Sequence, residues 1–213
     1  FCAVSSKVNQ INFGYKGFIF KKIDVSEFDD YLKFRYRIFC QELGWLPENE
    51  KKLEKDRYDD FGICVHFGCF KPMGKIIACM RIILSSQVGW MIQKEFRNYF
   101  GNAPIPRCSD DAIELTRLGI EKQFRIHSSF TILSGLYKIT YKWSIINKIN
   151  RWYFVTSKKF IILLKRMGFS VSIIGEGLKD INNIFTVPGM VDLQKSATLL
   201  KKKNINRYNF YHD

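Results

Sequence analysis

The sequence predicts an α/β fold: a single domain, residues 1–213, built on an open mixed β-sheet with helices on both faces. Three observations predict it. The 213 residues suffice for one well-packed domain and are too few to argue for two. Apolar residues make up 46% and charged residues 25%, the composition of a chain that buries a core. Strand-like runs come first, and strand, helix, strand, helix and strand then follow one another, as in an open sheet covered on both sides.

Gly17 to Ile23 is aromatic and β-branched and reads as the first strand. Asp24 to Ser26 offers helix-start chemistry, and Phe28, Tyr31, Leu32, Arg35 and Phe39 recur at helical spacing until Gly44. Trp45 to Asp60, the most acidic stretch, reads as a loop or short helical turn crossing the surface. Ile63 to Phe70 and Lys75 to Leu84 are two strands of an antiparallel hairpin, with turn chemistry at Lys71 to Gly74. Trp90 to Tyr99 has helical periodicity and precedes a loop from Gly101 to Pro106. Ala112 to Glu121 alternates as a strand, which puts Glu114 and Arg117 on opposite faces unless a bulge intervenes. His127 to Ile149 is a long apolar helix, Arg151 to Thr156 a strand, Lys158 to Met167 a helix stopped by Gly168, and Phe169 to Ile174 a strand. No internal repeat or linker interrupts this order.

The charge is unusual. Thirty-four Lys and Arg against twenty Asp and Glu leave +14, with the excess late in the chain at Lys158, Lys159, Lys165, Arg166 and Lys201 to Lys203. Such a field favours an acidic partner: nucleic acid, an anionic membrane surface touched peripherally, or an acidic carrier protein. A lysine-rich surface with no partner at all is the plain alternative. Six cysteines (Cys2, Cys40, Cys64, Cys69, Cys79, Cys108) form no C-x2-C pair, which points to reduced thiols and a cytoplasmic protein. Cys64, His66 and Cys69 are not a metal site, because a strand turns Cys69 to the opposite face, and no metal is expected. The chain opens on Phe1 rather than Met, as a trimmed chain would. Its first residues lack the apolar core of a signal peptide, and no run approaches the length of a spanning helix.

Nine residues stand apart: Arg35, Phe39, Trp45, Glu54, Asp56, Asp59, Arg81, Glu114 and Arg117. Four carboxylates and three guanidiniums, if gathered, make a charge-balanced pocket beside two aromatic rings, a place for a small amine. The pieces read R-x3-F-x5-W, E-x-D-x2-D, an Arg ending an apolar strand, and E-x-T-R in another strand. The set resembles the signature of the acyl-homoserine-lactone synthases and their relatives, which include N-acyl amino acid synthases and the acyltransferases associated with PEP-CTERM/exosortase systems. The resemblance is specific from about Tyr31 to Arg117, with a weaker echo at Lys165 to Phe169 and Val187 to Leu193.

The resemblance implies the fold of the GCN5-related N-acetyltransferases and the transfer of an acyl group from a thioester to an amine. Glu114 and Arg117 are then catalytic, with Glu114 taking the ammonium proton. Asp56 and Asp59 bind the acceptor, and Arg35, Glu54 and Arg81 form the network that holds them. Phe39 and Trp45 line or gate the channel, although aromatic residues at this spacing also build core. A purely structural ion-pair cluster is the alternative for the charged set, as pairing with Arg117 or Arg81 is for Glu114.

In simpler members of that fold a glycine-rich turn cradles the pyrophosphate of coenzyme A. Gln123 to Ser129 holds no glycine here, which agrees with a donor carried by an acyl carrier protein, acyl-CoA remaining open. Arg125, Ser128 and Ser129 are the donor-binding candidates; helix capping is the alternative for the serines. Phe130 to Ile149 could wall an acyl tunnel, since each buried methylene contributes about 0.8 kcal/mol. No permanently bound cofactor is implied.

The leading expectation is an N-acyltransferase that joins a fatty acyl group, from acyl carrier protein or acyl-CoA, to an amino acid or related small amine and yields an N-acyl amino acid. The alternative is an acyl-homoserine-lactone synthase using S-adenosylmethionine. Against that alternative, Ile82-Ile83-Leu84-Ser85-Ser86 stands where many lactone synthases carry Pro-Thr. A basic nucleic-acid-binding protein without catalysis is a minor alternative. It is disfavoured because seven ionised groups cluster mid-chain and no groove-reading motif is present.

Overall fold

The computed structural model describes residues 11–213; Cys2 and the opening residues lie outside them. The described chain falls into two compact units.

The first unit holds residues up to Glu54, His66–Met80 and Leu118–Trp143. Its first element is a hairpin, β1 (Asn12–Tyr15) and β2 (Phe18–Lys22), rather than one strand from Gly17. Lys16 and Gly17 both have positive φ (47° and 79°), the geometry of a tight two-residue turn whose twist suits the flanking strands. Strand β2 pairs antiparallel with β3 (Cys64–Phe70), Ile19 facing Phe70 and Lys22 facing Phe67. The predicted turn at Lys71 closes onto β4 (Ile76–Ile83) through a bond from the Lys71 N–H to the Lys75 carbonyl, 2.9 Å. Helix α1 (Phe28–Tyr36) follows a single 3₁₀ turn and runs into a π-helical turn over Arg37–Glu42. Its apolar side buries Tyr31, Leu32, Phe34, Ile38 and Phe39 with Ile23, Phe70, Ile76 and Cys79. Gly44 ends this run at φ 60°, as the sequence predicts.

The second unit holds Lys55–Val65, Arg81–Arg117 and Ser144–Asp213. Its sheet is mixed. Strand β5 (Ala112–Ile120) pairs in parallel with β6 (Arg151–Ser157), and β6 pairs antiparallel with β9 (Phe185–Asp192) along its whole length. Strands β7 (Ser170–Ile173) and β8 (Leu178–Lys179) add to β9. The parallel register runs from Ala112↔Arg151 to Glu114↔Tyr153 and stops there, while β6 continues to Ser157. Helix α2 (Ser129–Ile146) is shorter than the predicted His127–Ile149 span. Helix α3 (Lys158–Arg166) is capped by the Ser157 hydroxyl and stopped at Gly168, φ 95°. Strands β8 and β9 and helices α4 (Leu193–Lys203) and α5 (Ile205–His212) lie beyond the last element the sequence reading placed.

Two expectations are corrected. Trp90–Tyr99 is not a helix but two 3₁₀ turns, Met91–Gln93 and Arg97–Phe100, because Trp90, Met91, Ile92 and Phe100 all enter the core around Tyr58, Ile83 and Tyr153. A straight helix presents apolar groups along one stripe only and cannot bury all four this way. Trp45–Asp60 has no regular structure, as predicted, but it does not merely cross the surface: Glu54, Tyr58 and Asp59 are buried.

Candidate active site

In the second unit the end of β4 delivers Arg81, which has no exposed surface, to two carboxylates of the preceding segment. Arg81 Nη1 donates to Asp56 Oδ1 at 2.6 Å and to Asp59 Oδ1 at 2.7 Å, and Nη2 donates to Asp56 Oδ2 at 3.0 Å. Its Nε donates to the Thr116 hydroxyl of β5, 3.0 Å. The planar guanidinium fork thus makes four bonds to oxygen, one more than the three donors of an ammonium allow. Asp56 and Asp59 are themselves fixed by a tight turn. The Asp56 N–H donates to Asp59 Oδ2 at 2.7 Å and the Tyr58 N–H to Asp56 Oδ1 at 2.8 Å.

Arg117 closes the set. Its φ is 51°, the left-handed region that a non-glycine residue rarely adopts, and this breaks the alternation of β5. The irregularity that the sequence required is therefore present. Arg117 Nη2 reaches Asp56 Oδ2 at 2.9 Å, so that carboxylate is shared by two guanidiniums. Two arginines and two aspartates balance in charge. The Arg81 and Asp59 side chains are sealed, whereas Asp56 is 24% and Arg117 12% exposed, so the cluster opens to solvent at that pair.

Glu114 is fully buried two strand positions from Thr116. Both of its oxygens accept backbone N–H bonds from the first 3₁₀ turn, Oε2 from Met91 at 2.6 Å and Oε1 from Ile92 at 3.1 Å. Burial raises its pKa to about 8, against the opposing pull of those two N–H donors and of the Arg81 charge. Met91 also ties the carboxyl to the cluster, its Sδ lying 3.4 Å from Arg81 Nη2 and 4.0 Å from Arg117 Nη1. Sequence reasoning missed Met91, Ile92 and Thr116. The first two act through backbone N–H groups, which leave no side-chain signature, and Thr116 was visible only as the T of E-x-T-R.

In the first unit, Arg35 on α1 forms a buried ion pair with Glu54, whose own N–H donates to the Leu32 carbonyl at 3.2 Å. Phe39 is buried in the core cluster, and Trp45 is 44% exposed and stacks on it, centroids 5.9 Å apart. The π-helical turn makes this possible, since the Phe39 carbonyl accepts the N–H of Trp45 at 2.9 Å as the helix unwinds. Arg125 donates from Nε to the Ile120 carbonyl at 2.8 Å and pairs through Nη1 with Glu42 at 2.5 Å. Ser128 stands just before α2, its carbonyl accepting the Ile132 N–H, and Ser129 is the first residue of the helix. Among the expected site residues, Asp56, Asp59, Arg81, Glu114 and Arg117 come together within one unit, and Arg35 with Glu54 and Phe39 with Trp45 within the other.

This buried, charge-balanced cluster, tied through Met91 to the Glu114 carboxyl, lies in a chain that is similar to known proteins. The family model described as autoinducer synthase matches residues 20–197. An acyl-homoserine-lactone synthase of Rhizobium etli is 25% identical over 190 residues, covering 86% of this chain and 85% of the relative. One of Vibrio anguillarum is 23% identical over 159 residues, 74% and 81% of the two chains. Among solved structures, the synthase LasI superposes with a TM-score of 0.71 at 21% identity over 83% of this chain and 90% of its own. BjaI, a CoA-dependent acyl-homoserine lactone synthase solved with SAM and isopentyl-CoA, gives 0.70 at 17% identity over 83% and 82%. FeeM, an N-acyl amino acid synthase from uncultured soil microbes, gives 0.60 at 10% identity over 85% and 94%. The fold is accordingly the mixed-sheet, helix-flanked fold of the acyl-homoserine-lactone synthases, and these relatives favour the lactone alternative over the open N-acyl amino acid. The chain is an acyltransferase and belongs to the autoinducer synthase family.

Proposed function

We propose that this protein is an acyl-homoserine-lactone synthase that transfers a fatty acyl group from a thioester to the amine of S-adenosylmethionine. The observation that carries the reading is the Arg81–Asp56–Asp59–Arg117 cluster, open to solvent only at Asp56 and Arg117, with Glu114 held beside it by two N–H bonds. The acceptor bears an ammonium, a carboxylate and a sulfonium. Asp56 meets a cationic group and Arg117 the carboxylate, while Asp59 and Arg81, being sealed, position those two.

Glu114 takes a proton from the ammonium, directly or through one water, and the neutral amine attacks the thioester carbonyl. The tetrahedral oxyanion needs N–H donors, and β5 supplies a break in the ladder for them, since its pairing with β6 ends at Glu114. Collapse forms the amide and breaks the C–S bond; the thiolate leaves as a thiol with the proton that Glu114 holds, and the second proton of the attacking nitrogen passes to solvent. The methionyl carboxylate of the acylated product then attacks its own γ-carbon. That closes the lactone, breaks the bond to sulfonium and releases a neutral thioether.

The donor is an acyl carrier protein or acyl-CoA. The glycine-free segment at Gln123–Ser129 and the basic face of α3, where Lys158, Lys159, Lys165 and Arg166 are exposed, favour the acidic carrier. Incubation with acyl carrier protein or acyl-CoA, and with S-adenosylmethionine or free amino acids, followed by mass spectrometry, tests the reading. An N-acyl homoserine lactone formed only with S-adenosylmethionine is the expected product. Open N-acyl amino acids from free amino acids, without lactone, would overturn it in favour of an N-acyl amino acid synthase.

A further inference from the structure

The second unit carries a cavity of about 680 Å³ outside the acid–base cluster, lined by Gln93, Arg97, Asn98, Gly101 and Ala103 and by the Ile105–Arg107 segment. Its size suits a small organic ligand. Its chemistry is cationic. Arg57, Arg81, Arg117 and Arg151 of this unit each pair with a carboxylate, but Arg97 and Arg107 face none among the described residues. The one carboxylate at the Gly101 rim, Glu176, accepts the Asn102 N–H at 3.0 Å. Both guanidiniums are exposed on one concavity without an ion pair among the described residues, and a phosphate group can accept hydrogen bonds from both forks. The Gln93 and Asn98 amides add neutral polar partners, and Ala103, Ile105 and Pro106 give an apolar wall.

The cavity is also wired to Glu114. The 3₁₀ turn Met91–Gln93 holds Glu114 with two backbone N–H groups, and its last residue forms the cavity wall. Gln93 Nε2 donates to the Pro106 carbonyl at 2.9 Å, and its Oε1 accepts the Trp90 N–H at 3.0 Å and the Cys108 thiol at 3.3 Å. A ligand that draws Arg97 and Arg107 together loads that amide and hence the turn.

We infer that this cavity binds a phosphate-bearing small molecule, and that its occupancy acts on Glu114 through the Met91–Gln93 turn. The inference goes beyond the acyl-transfer reading and does not depend on it. The probe is inorganic pyrophosphate, titrated calorimetrically into the full chain while the amide NMR signals of Met91 and Ile92 are followed. Saturable one-to-one binding is expected, with both amides shifting. The double variant Arg97→Ala/Arg107→Ala should weaken binding at least tenfold, and Lys158→Glu/Lys159→Glu, on a separate helix, should leave it within twofold. Equal binding by wild type and the arginine variant, no saturable binding, or binding without movement of the two amides overturns the inference.

Discussion

Under the proposed mechanism, Glu114 is the group expected to set the pH dependence of turnover. Its carboxyl is raised from 4.5 to about 8, so it is protonated over most of the neutral range and becomes a base as the pH climbs. Turnover should therefore rise with pH along a limb whose midpoint lies near 8, and Glu114→Gln should abolish that limb and cut turnover by about 10² or more. A flat rate profile from pH 6 to 9 in the wild type would contradict the assignment. Stability runs the other way. A folded pKa above the unfolded one means stability fully present below about 4.5 and lost as the pH rises through about 8. Urea midpoints for wild type should fall across that window more than those of Glu114→Gln. The glutamine variant will not be neutral for folding, because its amide must point NH₂ at one of the two N–H donors, leaving a buried donor without an acceptor at a cost of about 1–3 kcal/mol. Arg81→Met, which strands Asp59 in the interior, should cost about 3–5 kcal/mol by urea denaturation. A loss below about 1 kcal/mol would mean that the pair is solvated.

Elements were legible where one periodicity ruled and illegible where packing overrode it. The β3–β4 hairpin, α1, α3 and its glycine stop follow from alternation, helical spacing and turn residues. The stretch from Trp90 to Phe100 does not, because its apolar spacing fits a helix while core packing splits it into two tight turns. The first of those turns presents the N–H groups that grip Glu114, so this part of the site was hidden from the sequence. The same contest between local preference and packing appears in α2. Gly135 is a poor helix residue, and alanine there gains about 1 kcal/mol in propensity. Yet a Cβ at Gly135 would lie 2.2 Å from Phe20 Cζ. Gly135→Ala should therefore lower stability by about 1–3 kcal/mol, read as a shift in urea midpoint. A stabilised variant would show that the Phe20 ring can move aside at little cost.

On the scale of the whole molecule, the +14 charge is expected to speed encounter with an acidic carrier under the proposed reading. Lys158, Lys159, Lys165 and Arg166 are exposed on α3, with Lys201–Lys203 exposed at the end of α4. Reversing Lys158, Lys159 and Lys165 to glutamate should lower kcat/KM for an acyl carrier protein at least tenfold and leave that for free acyl-CoA within about threefold, with the difference shrinking as salt rises. Equal loss with both donors would reduce the cluster to a structural role. No described helix is long and apolar enough to cross a membrane, and five described cysteines are free thiols.

The sequence by itself determined the α/β class, the nine spaced residues and the need for a break in β5, because these are written in side-chain identity and in the periods of helix and strand. The tertiary structure alone decided the break's form, Arg117 at φ 51°, together with Asp56 shared between two guanidiniums and a carboxyl displaced to about 8. The physical reason is that such properties belong to distances between segments far apart in the chain. Backbone N–H donors, burial and the loss of water around a charge have no letter in the sequence.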